Sequence, residues 1–140
     1  MRLSGQISKS GRWWSVEVPI LGVATQGTSR KDALDMVADA IKELVHRRGF
    51  RMMVHQGKGN AFELSANDPA ELTALMLRRL RGRAGLTLAE VAARLDAKSL
   101  NSWARYERGR AVPTVAKLTE LFAAVAPGRD FVITESRADS

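Results

Sequence analysis

Cysteine is absent from the 140 residues, which excludes disulfides, cysteine-type zinc sites, iron–sulfur clusters and thiol nucleophiles together. Histidine is nearly absent too, since His46 and His55 are the only two and stand outside any metal-ligand spacing. Long apolar runs are missing as well. No stretch approaches the roughly 18–20 apolar residues of a membrane span, and Met1-Arg2-Leu3-Ser4-Gly5 lacks the apolar core of a secretion signal, so the expectation is a soluble, cytoplasmic chain. Acidic residues are in deficit, 15 against 22 Lys and Arg, which gives a formal charge of +7 and a pI near 10.5. A bias of that sign most often serves a polyanionic partner such as nucleic acid. What remains, 45% hydrophobic and 26% charged, is the composition of one ordinary domain or two small ones.

The chain has two grammars, and together they predict an α+β protein. Residues 1–66 read as a small β-sheet around one helix. Trp14, Val16 and Val18 alternate with Trp13, Ser15 and Glu17, the period of a half-buried strand, and Pro19 ends its hydrogen-bonding run. Leu3 and Ile7 mark an earlier strand, joined to it by a turn at Lys9-Ser10-Gly11-Arg12. From Arg30 to about His46, Leu34, Val37, Ile41 and Leu44 recur at helical steps, with Thr28 or Ser29 as the cap and Gly49 as the stop. Arg51–Gln56 and Ala61–Ser65 flank Gly57-Lys58-Gly59-Asn60 as a second hairpin, with Phe62 and Leu64 facing inward.

Asn67-Asp68-Pro69-Ala70-Glu71 marks a boundary, because Asp68 can cap a helix, Pro69 suits its first position and Glu71 completes a capping box. Residues 67–128 then read as an all-α bundle of four helices. Leu72, Leu75, Met76 and Leu80 form the first stripe, Thr87-Leu88-Ala89-Glu90 caps the second helix, and the third runs from about Ser99 to Arg108 and closes at Gly109. Pro113-Thr114 start the fourth, with Val115, Leu118, Leu121, Phe122 and Val125 inward. Residues 129–140 read as a C-terminal strand, Asp130–Thr134, and a tail.

In the third helix, at about 100° per residue, Trp103 and Tyr106 share a face with Ser99 and Glu107, while Asn101, Arg105 and Arg108 point the other way. Asn pairs bidentately with adenine and Arg with guanine, so Asn101 and Arg105 are candidate base readers. Between Arg78 and Arg110 nine Lys and Arg face three acids, which concentrates most of the positive charge around this helix and suits phosphate contact. Lys98, Ser99, Leu100, Asn101, Ser102, Arg105, Arg108 and Arg110 are the candidate DNA-contacting set. Leu86-Thr87-Leu88-Ala89-Glu90-Val91-Ala92 followed by Arg105-Tyr106-Glu107-Arg108-Gly109 resembles the Cro/C1-type repressor family over about residues 69–126. The resemblance implies a helix-turn-helix and a pairing of Glu107 with Arg81. The turn before the third helix is one residue longer than the family's common pattern, and Leu88 and Leu100 stand where many members carry glutamine.

Gly11-Arg12-Trp13-Trp14-Ser15-Val16-Glu17-Val18-Pro19, then Gly22-Val23-Ala24-Thr25-Gln26-Gly27-Thr28, then the Ala33–Ile41 helix resemble the HicB antitoxin family over about residues 1–65, with Ile20 in place of its usual acid. That resemblance implies a partial RNase H-like β-β-β-α-β domain that covers HicA, a small basic mRNA-cleaving toxin. It also implies a toxin–antitoxin system in which the second domain represses the operon on double-stranded operator DNA as a homodimer or higher oligomer. Alternation puts Trp13 and Glu17 on the face that the helix does not cover, and both are candidate toxin contacts. Nuclease chemistry would need converging carboxylates. Asp32, Asp35 and Asp39 share a helix face, yet the strands supply only Glu17 and Glu63, so no catalytic residue, metal or cofactor is expected. The alternative to an antitoxin is a stand-alone transcription regulator with a ligand- or protein-sensing N-terminal domain.

Overall fold

The structure is a computed structural model that describes residues 1–95 and 101–136. It divides into two compact units, Met1–Pro69 and Ala70–Ser136. Among the described residues no helix is long and apolar enough to cross a membrane.

In the first unit β1 (Leu3–Ser10), β2 (Trp13–Val18), β3 (Val23–Gly27), α1 (Arg30–Val45), β4 (Met52–Gln56) and β5 (Ala61–Ala66) follow in order. The strands form one sheet, β3-β2-β1-β5-β4, antiparallel at every pairing. The second hairpin adds a strand to the β-β-β-α-β order, and β5 rather than β4 lies beside β1. Alternation decides the faces: Leu3, Ile7, Val16, Val18, Phe62 and Leu64 are buried with Leu34, Val37 and Ile41 of α1, whereas Leu44, expected in the same stripe, is 40% exposed and Val45 is buried in the last turn instead. Gly5 faces Phe62 across β1 and β5. A Cβ on Gly5 would lie 2.1 Å from Phe62 Cζ, so the ring takes the place of a side chain in mid-strand.

Local chemistry sets the ends of α1. Ser29 is the cap, its hydroxyl accepting from Asp32 N at 3.0 Å, and Asp32 Oδ2 accepts in return from Thr28 N at 2.8 Å. The expected stop at Gly49 is displaced. The helix closes at His46, a left-handed residue (φ 51°) whose N–H donates to Lys42 O at 2.9 Å.

The second unit carries α2 (Pro69–Ala84, beginning at the boundary), α3 (Leu88–Arg94), α4 (Asn101–Glu107) and α5 (Val115–Val125). Thr87 and Thr114 cap α3 and α5, their hydroxyls accepting from Glu90 N and Lys117 N, each at 3.1 Å. Leu72, Leu75, Met76, Leu80, Val91, Trp103, Leu121, Phe122 and Val125 form the core. Two expectations fail here. Val115 is 62% exposed and Leu118 only half-buried, so burial along α5 sets in only at Leu121. Asp130–Thr134 forms no strand: Val132 and Ile133 are exposed, while Phe131 turns its ring edge-on to Phe122, centroids 5.7 Å apart. An extended segment becomes a strand only when a neighbouring backbone pairs with it, and the described residues of this unit contain no strand.

Candidate nucleic-acid interface

The candidate interface is built around one carboxylate. Glu107, the last residue of α4, is buried and accepts from Arg81 of α2 through both oxygens, Nε to Oε2 at 2.8 Å and Nη2 to Oε1 at 2.5 Å. The same Oε2 accepts from Nε1 of Trp103, one helical turn earlier and fully buried. Arg78 Nη1 donates to the carbonyl oxygen of Glu107 at 2.8 Å, and Arg81 Nη1 donates to Leu86 O at 3.0 Å. A bidentate pair fixes direction as well as distance, so these bonds set the attitude of α4 against α2. The hydrogen bond to Glu107 raises the Arg81 pKa above its ordinary value, against partial desolvation. A raised cation pKa means that the contribution is fully present below the unfolded value and is lost only as pH climbs through the folded one, far into the alkaline range.

The end of α4 is equally specified. Arg110 N donates to Arg105 O at 3.0 Å and Gly109 N to Tyr106 O at 3.1 Å, the two bonds of a Schellman closure. Gly109 sits at φ 72°, and a Cβ there would lie 2.6 Å from Oε1 of the buried Glu71. The carboxylate expected in a capping box therefore lies against the turn that follows α4. The first helix ends in the same way, with Leu86 N to Arg81 O at 3.2 Å and Gly85 N to Gly82 O at 3.1 Å. Because α2 ends there, the chain turns directly into the Thr87 cap of α3.

With Trp103, Ala104 and Glu107 inward and Tyr106 half-buried, α4 leaves Arg105 exposed, and Arg108 and Arg110 are exposed just beyond it. Arg83, near the end of α2, is exposed too. Asn101 and Ser102 open α4, but their side chains are outside the described set, and Lys98, Ser99 and Leu100 lie outside the described residues altogether. Three parts of this arrangement escape sequence reading: Trp103 on Glu107, Arg78 on the end of α4, and Glu71 at Gly109. The first had a signal in the i,i+4 spacing of Trp103 and Glu107.

Residues 74–130 match the family model of a helix-turn-helix domain. The C-terminal unit carries a helix-turn-helix. None of the curated proteins searched matches the chain. A helix-turn-helix points to DNA as the ligand, and the exposed arginines at and beyond the end of α4 have the charge that phosphates require.

The sequence-predicted contacts of the other unit lie on β2. Trp13 is 40% exposed, with the Arg12 guanidinium 5.5 Å from its ring centre, a cation–π contact. Glu17 is exposed on the same side of the strand, opposite to the buried Val16 and Val18. There it borders a shallow concavity lined with Gln6, Ser8, Ser15 and Gln26. Its wall mixes neutral polar side chains with apolar ones, Ile7, Val16 and Ala24 among them, and Glu17 is the one charged residue on it.

Proposed function

We propose that the chain is an operator-binding repressor whose α4 enters the major groove, Asn101 and Arg105 reading bases while Arg108 and Arg110 hold phosphates. The observation that carries this reading is the inward anchoring of α4 through Trp103 and Glu107, which leaves its arginine outward. A single helix-turn-helix buries too little surface for selectivity in a genome, so the repressor acts as a dimer or higher oligomer on two-fold half-sites about 34 Å apart or a multiple of it. The test is fluorescence anisotropy on duplexes drawn from upstream of the chain's own reading frame, against scrambled duplexes. Asn101→Ala should cost about 1–3 kcal/mol on the operator and nothing on the scrambled duplex. Arg110→Ala should weaken both alike and flatten the salt dependence by about one unit of slope. Equal operator preference in wild type and Asn101→Ala would sink the assignment.

The sheet unit supplies the second activity in this reading, steric neutralisation of a HicA-type toxin by an antitoxin that performs no chemistry itself. Its support is the motif resemblance of residues 11–41 together with an exposed tryptophan and glutamate on one uncovered sheet face, the polarity that suits a small basic protein. Co-expression with a small basic protein encoded next to this chain decides between this reading and a stand-alone regulator. The full chain should restore growth and copurify. Absence of both, with operator binding intact, would leave the concavity bordered by Glu17 as a ligand-sensing surface instead.

A further inference from the structure

The sheet ends on β4, and the register of its neighbours shows which backbone groups that edge presents. Ile7 N donates to Asn60 O at 2.8 Å, one step beyond the Gln6↔Ala61 pair, so β5 turns the backbone groups of Phe62 and Leu64 toward β1. Those of Ala61, Glu63 and Ser65 therefore face β4, in keeping with Gly57 N donating to Ala61 O at 3.1 Å. On β4, Met53 and His55 answer them. Met52, Val54 and Gln56 point their N–H and C=O groups off the edge, where no backbone bond among the described residues takes them up. Sheet edges are commonly blunted by lysine, proline or a bulge, and β4 has none of these. It is instead apolar in the middle, with Met52 and Val54 half-buried and Met53 49% exposed.

We infer that β4 pairs antiparallel with β4 of a second copy of the chain, about a two-fold axis through Val54, and joins two sheets into one. The inference rests on sheet geometry and stands apart from the DNA-binding reading. Self-complementarity selects the occupant. With Val54 opposite Val54 of the partner subunit, Met52 meets the partner's Gln56, so the outward groups of both strands are matched by about six hydrogen bonds. Between them Met53 falls opposite the partner's His55. The strand carries no Lys, Arg, Asp or Glu, and the flanking cations miss each other: Arg51 falls opposite the partner's Gly57 and Lys58 opposite the partner's Phe50. A shift of register loses this separation or leaves outward groups unmatched.

The absence of native cysteine makes the register testable in the full chain. Met53 and the partner's His55 form a non-hydrogen-bonded pair, with Cα atoms about 4.5 Å apart and within disulfide reach. Two copies of position 53 are diagonal neighbours, about 7–8 Å or more apart, too far to bridge without movement. Met53→Cys and His55→Cys chains, each alone, should stay uncrosslinked under mild oxidation, while their equimolar mixture should give a disulfide-linked dimer on a non-reducing gel. A mixture that fails to link although its thiols label and its circular dichroism is native overturns the proposal. Singles that link as fast as the mixture overturn it too. Val54→Pro removes an outward N–H and spares the β4·β5 bonds, so sedimentation should show the pairing constant weakened at least tenfold. Unchanged association in that folded variant, read beside an unlinked mixture, would place the self-contact elsewhere in the chain.

Discussion

Glu107 is the residue on which the C-terminal unit is most exposed to a single change. Its oxygens accept from a part-buried guanidinium and a buried indole, so Glu107→Gln keeps the shape but leaves Arg81 without its counter-charge. The expected loss is about 2–3 kcal/mol in urea unfolding, nearer the cost of an orphaned buried charge than the worth of a surface pair. Arg81→Lys should recover little, since one ammonium cannot reproduce the fork. Gly109→Ala is the companion test. A left-handed site and a Cβ 2.6 Å from Glu71 Oε1 both oppose it, and the variant should lose about 2 kcal/mol or more in the same measurement. A change under half of that would mean that the turn relaxes freely.

Among elements, the caps of α1 and α3 were legible because each is a hydroxyl that accepts a backbone N–H three residues on, Ser29 from Asp32 and Thr87 from Glu90, and Thr114, read only as the start of α5, accepts from Lys117 N in the same way. The end of α1 was not, since Gly49 lies within reach of the same turn and only the path of the chain into β4 selects His46. His46→Gly relieves a left-handed side chain and should raise stability by about 0.5–1 kcal/mol, read as an increase in the urea midpoint at unchanged slope. Periodicity likewise located α5 but could not say which of its apolar residues would be covered, and Val115 is exposed. Alternation in Asp130–Thr134 matched a strand without supplying a neighbour for it.

For the whole molecule, division into two units predicts that their activities separate. Arg105→Ala should abolish operator preference and leave growth rescue by co-expression untouched. Trp13→Ala should do the reverse, costing upwards of 2 kcal/mol in binding the small basic partner, about a thirtyfold rise in dissociation constant. If either variant impaired both readouts while circular dichroism stayed native, the two activities would share a surface that this reading does not contain. What the sequence by itself determined is what spacing carries, namely the alternation of β2, the stripe of α1 as far as Ile41, the Ser29 and Thr87 caps and the Gly109 closure, while the Arg81–Glu107 pairing came from the repressor resemblance. What only the tertiary structure decided is which distant groups meet. Phe62 fills the space over Gly5, Glu71 closes on Gly109, Arg78 reaches the end of α4, and β4 rather than β5 is left at the sheet edge. Contacts of that kind join residues tens of positions apart, and loop closure together with packing chooses them, whereas period and propensity act only along neighbouring turns of chain.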